Sequence, residues 1–128
     1  MLRRFSTQRK HPRYHTLGRA FIQVNPYNPQ DKKSKRFKLL DIGDRGCAFI
    51  YYGVQQDLKE SGEISLISGD TPYLERLGFI TVSDIPYTKT GNDSGRLRRR
   101  GVEFKGLDLT KQQKLREFIM QNAISRAS

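Results

Sequence analysis

Glycine, proline, asparagine and aspartate cut this chain into short apolar runs, and that punctuation most constrains its fold. Residues 16–24 (Thr-Leu-Gly-Arg-Ala-Phe-Ile-Gln-Val) are rich in strand formers and stop at Asn25-Pro26. Residues 37–41, 47–52, 63–67, 78–85 and 100–104 are the next such runs. Cys47, Phe49 and Tyr51 fall on one face of theirs by the two-residue alternation of a strand. Gly43-Asp44-Arg45-Gly46 reads as a tight turn, and residues 25–36 and 86–97 as loops. Residues 55–61, polar and ahead of Gly62, read as a turn or a short helix.

The last run changes period. Leu115, Phe118, Ile119 and Ala123 recur at helical spacing, and Thr110 with Gln113 matches a capping box, so a helix is predicted over residues 111–124. Six short strands and one helix predict an all-β fold: a small six-stranded antiparallel barrel closed or plugged by a C-terminal helix. Closing the sheet removes edges that a chain this short has little else to cover.

Charge divides the chain differently. Residues 1–40 hold eleven basic residues and one acidic one, whereas residues 41–128 hold thirteen and twelve, against a total of +11. Residues 1–15, polar and basic without a period, read as a flexible N-terminal arm, and residues 16–128 as one barrel domain. The excess favours an anionic partner. One Cys rules out an internal disulfide framework, and no apolar run is long enough to span a bilayer, so a cytoplasmic setting is expected.

Catalysis finds little support. His11 and His15 are four apart, but Pro12 between them disfavours the helix that would aim both at one metal. Cys47 reads as a small buried residue, the carboxylates form no convincing pair, and no phosphate-cradling glycine motif occurs. A non-enzymatic protein without metal or cofactor is expected.

Two segments carry chemistry. Arg9-Lys10-His11-Pro12-Arg13 spaces two arginines four apart in a stretch that Pro12 biases toward extended backbone. Asp41-Ile42-Gly43-Asp44-Arg45-Gly46 joins two strands, and its glycines permit positive φ and a ligand close to backbone. Guanidinium groups fork onto phosphate oxygens or onto guanine O6 and N7, and a carboxylate such as Asp41 accepts from the guanine N1–H and N2–H groups. Read blandly, Arg9 and Arg13 are solvated charges, the glycines a hairpin turn and Asp41 a turn cap.

Taken in order, the two segments resemble the PilZ domain family, marked by Arg-x-x-x-Arg in an N-terminal arm and Asp/Asn-x-Ser-x-x-Gly at a later strand junction. Gly-Cys-Ala-Phe at 46–49, Arg-Gly-Val-Glu-Phe at 100–104 and the following Leu-Asp-Leu-Thr are similar to the family as well, so the resemblance covers about residues 8–121. It implies a bacterial receptor for the second messenger cyclic di-GMP that signals to a protein partner. Arg9 and Arg13 would grip phosphate and guanine, Asp41 a guanine edge, and Gly43 and Gly46 the turn. Lys10, Arg45, Arg98 and Arg100 are further candidates for ligand contact. Gly43 stands where the family has Ser, so Gly43→Ser is expected to tighten binding. The alternatives are a small barrel that binds nucleic acid, and a PilZ-like adaptor that binds no nucleotide.

Overall fold

Alternation along each strand decides which side chains reach the interior. The computed structural model describes residues 12–25, 36–87 and 96–127. Its strands are β1 (Arg13–Thr16), β2 (Ala20–Asn25), β3 (Arg36–Gly43), β4 (Gly46–Tyr52), β5 (Ser61–Ser68), β6 (Thr71–Pro86) and β7 (Leu97–Lys105). Helix α1 (Leu109–Asn122) follows, then strand β8 (Ala123–Ala127). All neighbouring strands pair antiparallel, in the order β2-β5-β6-β7-β4-β3-β1-β8, and an additional β2–β3 pairing returns the sheet to its start. Strands β2 to β7 therefore form the expected closed barrel of six. Strands β1 and β8 form a ribbon continuing from the β3 edge beyond the point where β2 leaves it.

Cys47, Phe49 and Tyr51 point inward as their alternation requires, joined by Ile22, Leu39, Ile42, Ile64, Leu66 and Val102. Phe37 stacks on Phe49 with ring centroids 5.5 Å apart, within the favourable range for aromatic pairs. Leu115 and Phe118 of α1 enter the same core.

The helix runs over 109–122 rather than 111–124. Its N-cap is Asp108, whose carboxylate accepts from the Lys111 backbone N–H at 2.8 Å, so the expected Thr110 cap lies inside the first turn. Both residues suit a cap, but Asp108 has the extended backbone that a cap requires. At the other end Ala123 turns extended and pairs with Thr16. Buried Asn122 holds that junction: its amide donates to the Phe118 carbonyl at 3.0 Å, and its oxygen accepts from Ser68 at 3.3 Å.

Residues 13–15, assigned by sequence to the arm, belong to β1. Their polar composition hides a strand whose backbone is satisfied from both sides, by β3 and by β8. Thr16 adds a buried hydrogen bond from its hydroxyl to the Leu39 carbonyl at 2.7 Å. No helix among the described residues is long and apolar enough to cross a membrane.

Candidate functional site

Strict alternation would place Asp41 on the same side as Leu39, inside the barrel. An extra residue prevents this. Leu39 pairs with Phe49 and Asp41 with Ala48, so two steps on β3 match one on β4. The bulge returns Ile42 to the core and turns Asp41 outward.

There Asp41 holds two arginines. Its Oδ1 accepts from Arg13 Nη1 at 2.9 Å, and its Oδ2 from Arg99 Nη2 at 3.1 Å. Arg13 arrives because β1 pairs with β3 in the register Arg13↔Gly43 and His15↔Asp41. Arg99 arrives from β7, where Arg100, Val102 and Phe104 face inward and the intervening positions outward. The carboxylate is 10% exposed, and Arg13 and Arg99 are 17% and 24% exposed. Each guanidinium carries five N–H donors and gives one to Asp41, so the cluster presents a net positive charge and spare donors. Asp41 also lies in register with Ala48 and Gly101, two small residues on the outer face.

The glycines of the motif serve this packing. Gly43 and Gly46 flank the expected tight turn at Asp44-Arg45, but neither has positive φ. A Cβ on Gly43 would lie 2.5 Å from the Pro12 carbonyl oxygen, closer than side chains tolerate. A Cβ on Gly46 would lie 2.2 Å from the Val102 carbonyl oxygen and 3.2 Å from Arg13 Nη2. Gly43 lets β1 lie against β3, and Gly46 lets β4 approach β7 beneath the Arg13 guanidinium. The expectation that Ser at position 43 would tighten binding therefore meets an obstacle the sequence does not show: the space is filled by β1 backbone.

Arg98 and Arg100 lie elsewhere. A second bulge, at Val82, pairs Ser83 with Gly101 and Asp84 with Arg100, and so turns Asp84 inward. Arg100 is 0% exposed and donates four hydrogen bonds: to Asp84 Oδ2 (2.7 Å), the Lys59 carbonyl (2.9 Å), the Gln55 carbonyl (2.9 Å) and Thr81 Oγ1 (3.2 Å). Its guanidinium carbon sits 5.6 Å from the Tyr51 ring centroid. Arg98 donates to the other oxygen of Asp84, and the Tyr51 hydroxyl donates to Asp84 as well. Burial alone would raise the Asp84 pKa, but the hydrogen bonds from Tyr51, Arg98 and Arg100 outweigh it and hold the carboxyl below its ordinary range. Burial, with Asp84 alongside, pushes the Tyr51 hydroxyl up. These two arginines brace the interior, and the outward place in the triplet belongs to Arg99. The signal was the alternation of 98–100 against inward Val102 and Phe104.

Of the remaining candidates, Arg45 is exposed at the turn and lines a hollow beside α1 in which Asp41 takes no part. Arg9 and Lys10 lie outside the described residues. Cys47 is buried, and burial pushes its thiol pKa well above the ordinary value, which leaves it unreactive.

No family model and no curated protein matches the chain. Solved structures do. The PilZ domain of YcgR from Escherichia coli, solved with c-di-GMP, aligns with a TM-score of 0.65 at 16% identity, covering 90% of this chain and 91% of that one. The complex of K. pneumonia MrkH with c-di-GMP gives 0.64 at 16% identity, over 90% of this chain and 52% of that chain. MrkH in its apo state gives 0.60 at 17% identity, over 85% and 47%. The chain spans about half the length of MrkH and nearly all of the YcgR domain. Its fold is that of a PilZ domain.

Proposed function

We propose that this PilZ-fold chain is a non-catalytic receptor for cyclic di-GMP, held between Arg9 and Arg13 on one side and Asp41 and Arg99 on the barrel surface. The observation that carries the reading is the outward carboxylate with an arginine on each oxygen. A guanine edge has the donors to take over Asp41, and phosphate oxygens have the acceptors to take over the released guanidiniums. The exchange costs little when the ligand replaces both partners together, whereas leaving either half of this largely buried pair without a partner would cost about 3–5 kcal/mol. That YcgR and MrkH are solved with c-di-GMP supports the choice of ligand. The residues ahead of β1 act as the arm, and the ligand draws Arg9 to the barrel, where Arg13 is already seated beside Asp41. The reshaped surface signals to a protein partner in the bacterial cytoplasm.

Calorimetric titration with cyclic di-GMP, with GMP and GTP as controls, tests the reading. Binding is expected for the cyclic dinucleotide and reduced at least tenfold in Arg9→Ala and in Arg13→Ala. Unchanged affinity in both variants refutes it. A steep fall in affinity with salt on a nucleic-acid probe, with no response to cyclic di-GMP, would instead favour a polyanion-binding barrel.

A further inference from the structure

Strand β1 has two faces. Arg13 and His15 share the one that borders Asp41, and Pro12 and Tyr14 share the other. Pro12 and Tyr14 form one wall of a groove of about 440 Å³ whose opposite wall is Ile119, Met120 and Ala123 of the helix end. Asp44 and Arg116 stand at its limit. The same two residues also line a second hollow of about 340 Å³, together with Arg45, Leu107, Gln112 and Leu115. The two hollows follow α1 from position 112 to 123, about 17 Å at the helical rise, which is room for three turns of a docked helix.

The surface around this channel is apolar where the barrel does not need it to be. Met120 is 82% exposed, Leu109 81% and Ile124 61%. The helical period puts Leu109, Arg116 and Met120 on one side of α1. Methionine is unbranched and adapts to irregular apolar partners.

We propose that the channel between β1 and α1 docks an acidic amphipathic helix of a protein partner. Shape and charge select this occupant. The channel is concave and takes side chains inserted from a ridge, which a planar membrane surface does not offer. Its charged lining is Arg45 and Arg116 against Asp44, so the excess is positive. A second copy of this chain would present its own α1, which carries Lys111, Lys114 and Arg116 against Glu117, so a positive helix would meet a positive lining. A helix with leucines on one face and glutamates beside them buries Met120 and satisfies both arginines.

The test uses the full chain without nucleotide, so its outcome is independent of the cyclic di-GMP reading. The probe is a fluorescent helical peptide of three to four turns with leucines on one face and glutamates elsewhere. Controls are the same peptide with lysines for glutamates, and a scrambled acidic peptide. Binding at least tenfold tighter for the acidic amphipathic peptide is expected, with amide shifts at Tyr14, Ile119 and Met120. Met120→Glu and Arg116→Glu, both at exposed positions, should each weaken it at least tenfold, and Arg116→Glu should improve binding of the lysine peptide. The proposal is overturned by no binding, by equal binding of all three peptides, by shifts elsewhere on the barrel, or by insensitivity to both variants. Sedimentation showing a dimer that Met120→Glu dissolves would overturn it in favour of a second copy. Preferential binding to anionic vesicles would overturn it in favour of a membrane.

Discussion

Gly43→Ala isolates the role of the motif glycine. The new Cβ would sit 2.5 Å from the Pro12 carbonyl oxygen, and ordinary contact begins near 3.4 Å, so β1 and β3 must separate by roughly 0.9 Å. Arg13 is the residue in register with Gly43, so the displacement falls on the strand that carries its 2.9 Å bond to Asp41. Overpacking of this kind costs about 1–3 kcal/mol, and the loss of glycine entropy in the unfolded chain returns about 0.4–1 kcal/mol. A net loss of about 1–2 kcal/mol falls on the β1 docking, a factor of roughly 5–30 in the closed-to-open ratio. Native-state amide exchange at residues 13–16 reads this directly, and the slow core amides of β4 should be unaffected. Gly43→Ser carries the same Cβ, and a hydroxyl bond worth about 0.5–1.5 kcal/mol at best does not offset it. Cyclic di-GMP binding to the Ser variant should therefore be no tighter than to the parent chain. Parental protection of β1 in Gly43→Ala would refute the close-packing argument, and tighter binding by Gly43→Ser would restore the expectation drawn from sequence.

Other outcomes follow from the same geometry. Arg99→Ala should weaken cyclic di-GMP at least tenfold in calorimetry with little change in melting temperature. Arg98→Ala should lower the melting temperature, and equal effects on binding would contradict the division between outward and inward arginines. The Asp84 carboxyl has a lowered pKa in the fold, so its stabilisation is complete above the ordinary value of about 4 and is lost as pH falls through the lower folded value. Asp84→Ala should remove that acid-side slope in urea unfolding and cost about 3–5 kcal/mol at pH 7, because two guanidiniums are left without their carboxylate. Asp108→Ala should cost about 0.5–2 kcal/mol by loss of the helix cap, and Thr110→Ala distinctly less, by thermal denaturation.

The barrel was legible because its six strands each bury one face, and burial writes itself into the order of residues. Phe49 and Tyr51, or Val102 and Phe104, can be assigned inward from spacing alone. Strands β1 and β8 were not legible. They are held largely by backbone pairing, which leaves no period in side chains such as Arg13, His15 and Ser125. The two bulges were invisible for a related reason. An inserted residue shifts the pairing partner on a distant strand, and nothing local in 39–42 or 81–84 records it. Yet those bulges decide that Asp41 faces out and Asp84 in, and so which arginines each receives. The motif was found from sequence, but Arg99 was not given its place in it, because that requires knowing that β7 lies two strands from β3.

The β1–β8 ribbon has a mechanical consequence. Arg13 lies opposite Ala127, so the beginning of the first strand and the end of the last are neighbours. A pull applied across these two points would part the antiparallel ribbon one pair at a time, from Arg13 inward, the low-force geometry of a zipper rather than the sliding of a shear joint. The first backbone to give way would be that of the residue which grips Asp41. Tension across this end of the barrel and occupancy of the Asp41 cluster would then act on a single joint.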